Sequence, residues 1–166
     1  TKSITRLAFG PLPTCTFGSS DNPALATNFQ GNWWSAGGAE SGWGINFAHQ
    51  GDTLFATWFT FGLDGRPLWL VAAAERTAPR VYSGRLFTGT GPAFNAVPFD
   101  PAKVVPTDVG AATFTFADDG TASFAYTVNG VSQTKAITRE QFGPSLPTCT
   151  WGTQPELGFA TNFQDM

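Results

Sequence analysis

From Ser41 to Thr138 the sequence is cut into short β-forming runs by turn signals, and this punctuation leaves room for few architectures. SGWGINFA (41–48) ends at the turn His49-Gln50-Gly51-Asp52, and TLFATWFTF (53–61) ends at Leu63-Asp64-Gly65. PLWLVAAA (67–74) and VYSGRLFT (81–88) follow, then a proline-rich loop over 89–108. VGAATFTF (109–116) turns at Asp118-Asp119-Gly120 into TASFAYTV (121–128). Asn129-Gly130, the strongest hairpin signal in the chain, leads into VSQTKAIT (131–138). A short run at 32–35 precedes them all. Short turns between successive runs predict antiparallel neighbours. The expected fold is all-β: an antiparallel up-and-down meander of seven to eight strands, either a small barrel or a folded-over sandwich.

The alternation within each run shows which face is apolar. Ala122, Phe124, Tyr126 and Val128 share one face of their run, and Ser123, Ala125 and Thr127 the other. Ala112, Phe114 and Phe116 likewise oppose Thr113 and Thr115. Run 53–61 departs from this pattern, with Leu54 and Trp58 on one face and Phe55, Phe59 and Phe61 on the other. PLWLVAAA is also apolar on both faces. Those two strands are expected to be covered on both sides or to offer an aromatic surface to a partner. Trp33 and Trp34 are adjacent in a strand, so one points inward and the other outward. The prolines of the 89–108 loop make it a fixed strap.

Composition excludes several classes of function. A net charge of −3 with no basic run argues against a nucleic-acid surface. No stretch approaches the length of an apolar membrane helix, so no membrane span is expected. Charged residues are scarce (13%), whereas Thr, Gly and aromatics are plentiful, a balance similar to that of secreted bacterial β-proteins. A secreted or cell-surface location is expected, and the missing initiator Met suggests a processed or excised chain.

The chain also begins and ends alike. KSITRLAF (2–9) matches KAITREQF (135–142), FGPLPTCTFG matches FGPSLPTCTWG, and ATNFQGN matches ATNFQDM. Cys15 therefore corresponds to Cys149, and Asn28 to Asn162. Such a duplication reads as one unit of a tandem array with a junction on either side. Residues 1–30 form a junction arm copied from the end of a preceding repeat. Residues 31–142 form the complete β-repeat domain, and 143–166 lead toward a following repeat.

Chemistry-bearing residues are few. His49 is the one histidine, placed in a predicted turn with no nucleophile motif around it. Glu40 and Asp52 are an acid pair whose separation nothing in the sequence sets. One His and two Cys in equivalent junction positions provide no metal-ligand spacing, and Asp118-Asp119-Gly120 is ordinary turn chemistry. No catalytic residue, metal or cofactor is expected, and the chain reads as a non-enzyme. Cys15 and Cys149 are the candidate disulfide, tying the two junctions of one chain or pairing between adjacent repeats or chains.

ESGWGINFAHQGDTLFATWFTFGLDGRPLWLV, GPAFNAVPFDP and TASFAYTVNGVSQTKAITR resemble a tandem repeat of secreted proteins of Betaproteobacteria, and the resemblance covers nearly the whole chain. It implies an extracellular repeat protein and carries over no catalytic residues. Gly31-Asn32-Trp33 also resembles the first strand of avidin- and lipocalin-type barrels, although tandem junctions do not fit those families. The expected function is a structural repeat unit of an extracellular bacterial fibre, sheath or adhesin. Its partners would be neighbouring copies of the same repeat, joined by β-strand addition at the junctions. The expected assembly strand is 2–9, represented by Ile4, Arg6 and Phe9, pairing with a sheet edge. The alternative is a carbohydrate-binding module for extracellular polysaccharide, with Trp34, Trp69 and Tyr82 as the candidate glycan platform.

Overall fold

A computed structural model describes residues 1–20, 28–143 and 146–150. Its body is a closed antiparallel barrel of eight strands in simple up-and-down order. The barrel strands are β2 (Gly31–Ser35), β3 (Gly44–Gln50), β4 (Thr53–Phe61), β5 (Pro67–Ala78), β6 (Val81–Thr90), β7 (Val105–Phe116), β8 (Thr121–Val128) and β9 (Val131–Arg139). Two further strands, β1 (Thr14–Ser20) and β10 (Leu146–Thr150), form a separate two-stranded ribbon. Of the two architectures expected, the barrel is the one formed. β2 makes the closure, pairing with β3 on one side (Trp33 opposite Ile45) and with β9 on the other (Trp33 opposite Arg139).

Inward positions follow the predicted alternation. Ile45, Phe47, Leu54, Trp58, Leu70, Leu86, Phe114, Phe124 and Ile137 are fully or almost fully buried. An eight-stranded barrel is just wide enough for side chains to fill it, and here aromatic rings do so. Phe114 and Phe124 stack at 5.0 Å, and Trp58 meets Phe124 edge-on at 4.9 Å. Small residues (Ala56, Ala72, Ala74, Ala112, Ala122) take inward positions between these rings and complete the core. Outside, Thr113, Ala125, Thr127 and Ser132 form the wetter face of β7, β8 and β9.

The Asn129-Gly130 hairpin is as predicted, with φ of 48° and 83° at its two residues, the conformation for which Asn and Gly are the favoured pair. Several boundaries differ from expectation: β3 begins at Gly44, β5 runs on to Ala78, and two further shifts bear on the site. His49 and Gln50 belong to β3 and not to the turn, which is reduced to Gly51-Asp52, because His49 continues the inward alternation Ile45, Phe47, His49. The strap is shorter than 89–108, because β6 and β7 pair as far as Thr90 opposite Val105. What remains, 91–104, holds one 3-10 turn at Pro101–Lys103, capped by Asp100, whose Oδ1 accepts from the Ala102 N–H at 3.1 Å.

The SGWG motif gains a physical reason. A Cβ on Gly44 would sit 2.6 Å from Cζ of Phe59, and one on Gly42 would sit 3.5 Å from the Phe61 ring. The two glycines are flat ground under two outward phenylalanines, while Trp43 between them packs against the core.

Phe124 lies at the centre of the ring cluster and has no solvent exposure. Phe124→Ala is expected to cost about 3–5 kcal/mol, measured as a lower urea midpoint with an unchanged slope. A loss below about 1 kcal/mol would show that the interior is not packed this way.

Candidate functional site

Two features stand out at the ends and flanks of the barrel: the way the N-terminal arm meets it, and an aromatic strip on its outer wall. The end of the barrel that carries the 51–52, 79–80 and 117–120 turns is plugged by Asn28 and Phe29, the residues just before β2. The Phe29 ring stacks on Phe116 at 3.9 Å with 6° between the planes, lies 5.5 Å from the His49 ring, and meets Tyr82 edge-on at 6.0 Å. The backbone is gripped as well. The Phe29 N–H donates to Nδ1 of His49 at 3.0 Å, Nε1 of Trp33 donates to the Phe29 carbonyl at 3.0 Å, and the Arg139 guanidinium donates to the Asn28 carbonyl at 2.5 Å. Asn28 is 1% exposed, and its Oδ1 accepts from the Gln30 N–H at 2.7 Å, which turns the chain from the plug into β2.

The electrostatics of this end follow from burial. His49 is fully buried, and desolvation first, then the nearby positive charge of Arg139, holds its pKa well below the usual histidine value. Nδ1 is an acceptor, so the proton of the neutral ring sits on Nε2, 3.1 Å from the Tyr82 hydroxyl. Burial also raises the Tyr82 phenol above its ordinary range. It lowers Arg139 to about 10, which leaves it charged at neutral pH, its guanidinium 5.3 Å from the Trp33 ring centroid. His49 is thus a buried, neutral structural ligand of the plug, not an exposed turn residue. Glu40 and Asp52 lie at opposite ends of the barrel and do not meet: Asp52 pairs with Arg76 at 3.3 Å, and Glu40 with Lys135 at 2.5 Å. Among the described residues no group of three or more His, Cys, Asp and Glu is arranged to hold a metal ion.

The assembly strand expected at 2–9 takes a different form. Residues 1–8 have no ladder partner, and Ile4 is 92% exposed. Residues 7–10 of the arm are hydrogen-bonded to the barrel at Gln50. Gln50 Oε1 accepts from the N–H groups of Phe9 and Gly10 at 2.8 and 3.2 Å, and its Nε2 donates to the Leu7 carbonyl at 3.1 Å. Phe9 rests 6.4 Å from Phe55, and Arg6 is exposed. The reason is closure, since a closed barrel removes the edge to which a strand would add. The ladder in the arms is formed instead by the threonine-cysteine segments. Thr14, Cys15 and Thr16 stand opposite Thr150, Cys149 and Thr148. The Cys149 side chain and residues 151–166 lie outside the described residues.

The glycan platform is not one surface. Tyr82 is 4% exposed and faces the interior beside His49, so it is not a contact residue. Trp34 is outward and half-buried beside Gly38. Trp69 is 63% exposed, directly opposite Phe59 across the β4–β5 ladder. With Phe59 and Phe61 it gives β4 and β5 an exposed aromatic outer face, the second of the two arrangements expected for these strands. Trp69 also lines a groove of about 530 Å³ together with Phe87, Gly89, Gly91 and Val104.

No family model, no curated protein and no solved structure matches the chain.

The unfolded chain protonates His49 near pH 6.5, whereas the folded chain resists protonation because the ring is desolvated by burial and lies near the positive charge of Arg139, with Nδ1 accepting from the Phe29 N–H. Below that pH the unfolded state binds more protons, so stability falls as pH drops from 6.5 toward the depressed folded pKa, by up to about 1.4 kcal/mol per pH unit. Urea midpoints at pH 7.5 and 5.5 are expected to differ in the parent chain and to converge in His49→Gln. An unchanged pH slope in that variant would contradict the assignment.

Proposed function

We propose that the chain is a structural repeat unit of an extracellular bacterial fibre, sheath or adhesin, joined to its neighbours at the cysteine-bearing junctions. The observation that carries this reading is the ribbon. Its two strands are copies of one motif, and they pair with Cys15 opposite Cys149 and Thr flanking Thr on either side. A segment that pairs with its own copy about a two-fold centre pairs equally well with the same segment of another repeat or chain. Directly opposed residues of an antiparallel ladder have Cα atoms about 4.5–5.5 Å apart, inside the range a disulfide spans. The ribbon is therefore proposed to be stapled by Cys15–Cys149 within one unit, and by the equivalent cysteines between units.

A staple closing so long a loop contributes about 4–5 kcal/mol in the chain-entropy model. Reduction is expected to lower Tm without unfolding the barrel at room temperature. Cys15→Ser leaves Cys149 with its self-complementary strand and is expected to give a dimer on non-reducing gels that dithiothreitol dissolves. Parent protein reduced and slowly reoxidised at high concentration is expected to give an oligomer ladder and filaments by electron microscopy. Monomer alone under all of these conditions would overturn the reading.

A second reading rests on Trp69. An indole exposed to this degree and lining a groove suits stacking on a sugar ring, which favours a polysaccharide-binding module. Titration with soluble plant and bacterial polysaccharides is expected to quench or shift tryptophan fluorescence in the parent chain and not in Trp69→Ala. Identical responses from the two proteins would remove this reading.

A further inference from the structure

The plug is chemically a short peptide bound in a cradle, and the chain contains that peptide twice. Asn-Phe-Gln occurs at 28–30 and again at 162–164, preceded in both places by Ala-Thr, and nowhere else in the sequence. Every feature the cradle reads in the first copy is a property of that tripeptide. The Phe ring is stacked on Phe116, and the Phe N–H is taken by His49. The two carbonyls are taken by Arg139 and Trp33, and the Asn side chain folds back on the Gln N–H. None of these contacts uses a side chain outside Asn-Phe-Gln on the ligand side. Trp33 follows the plug directly on β2, but His49, Tyr82, Phe116 and Arg139 lie on β3, β6, β7 and β9, so most of the cradle is assembled by barrel closure.

We propose that the cradle of Trp33, His49, Tyr82, Phe116 and Arg139 is a peptide-binding site for Asn-Phe-Gln, and that residues 162–164 are its second ligand, serving the barrel of another copy of the repeat. The plug then precedes the barrel it fills. A junction thus carries two connectors in series: a Thr-Cys-Thr strand that pairs with its like, and an Asn-Phe-Gln plug that enters the next barrel. The proposal rests on the tandem-repeat reading of the termini, but it requires neither the disulfide nor filaments. In the single chain the first copy holds the cradle because its tether through Gly31 to β2 keeps its local concentration high.

The test removes both copies of the Phe from the full chain (Phe29→Ala with Phe163→Ala) and adds a fluorescein-labelled peptide of residues 158–166, GFATNFQDM. The expected result is saturable binding, weakened on the order of a hundred-fold when the peptide itself carries Phe163→Ala. The parent chain, its cradle filled, is expected to bind at least about ten-fold more weakly than the double variant. If the double variant does not fold, an excess of the peptide is expected to restore its near-ultraviolet circular dichroism, and the Phe163→Ala peptide is not. A folded double variant that fails to bind, an unfolded one that is not rescued, or equal action of the two peptides would overturn the proposal. Peptide binding without oligomers in the reoxidation experiment would retain the cradle and sink the fibre. Oligomers without peptide binding would do the reverse.

Discussion

Eight strands close into a barrel only if the first reaches both the second and the last, and here the first is five residues long. β2 pairs with the end of β9 through Trp33, Trp34 and Ser35, and the ladder then runs out while β9 continues to Val131. The seam survives because side chains reinforce it at both ends. At one end the plug ties the approach to β2 onto Arg139 of β9 and His49 of β3. At the other, the Ala36 N–H donates to the Ala136 carbonyl at 2.9 Å, and the β2–β3 loop is held to β9 by Lys135. Lys135 occupies an inward position, opposite Phe124, where an unpaired charge would be costly. Its Nζ meets Glu40 and lies 5.3 Å from the Trp43 ring, while Nε1 of Trp43 donates to the same carboxylate at 3.0 Å. The hydrogen bond from Lys135, then that from Trp43, holds Glu40 below the usual carboxylate range. An edge that would otherwise invite another strand is thereby covered.

This seam explains why the arms behave as they do. KSITRLAF repeats the sequence of the closing strand, and in an open sheet it would be an obvious extra strand. In a closed barrel it has no ladder to join, and it rests against Gln50 and Phe55. The outer wall remains available, and β4 and β5 put their second apolar face there: Phe59, Phe61 and Trp69 stand outside a core that is already full. An exposed strip of this kind is a candidate contact surface. Its position on the wall is independent of the junction contacts at the plugged end.

Much of the barrel was legible from period-2 patterning and turn chemistry, because both are local. Asn129-Gly130 dictates its own hairpin, and Phe114, Phe116, Ala122 and Phe124 declare a buried face without reference to any distant residue. What stayed hidden depends on closure, which is not local. Nothing in HQGD distinguishes an exposed turn histidine from one continuing the inward row Ile45, Phe47, His49; only the rings of Phe29 and Tyr82 decide it. Tyr82 lies in a run whose two faces are similarly mixed, so its inward orientation waits on the pairing with Phe114. Two signals were present and unused. Gly42 and Gly44 alternate in step with Phe61 and Phe59, and Thr-Cys-Thr is symmetric about its cysteine.

That symmetry also sets a counting constraint on any array. If each junction carries one cysteine and each cysteine pairs once, a run of repeats cannot close every unit upon itself. A terminal unit stapled through its own two junctions leaves its neighbour one cysteine short, so pairing must either skip units or cross between chains. The plug obeys a different rule: on the proposed assignment each Asn-Phe-Gln is tethered immediately before a barrel, and the tether favours that barrel over others. A junction that combines the two would therefore be polar through its plug and non-polar through its ribbon. The plug would fix the direction of the chain of domains, and the ribbon would fix how such chains are laced together.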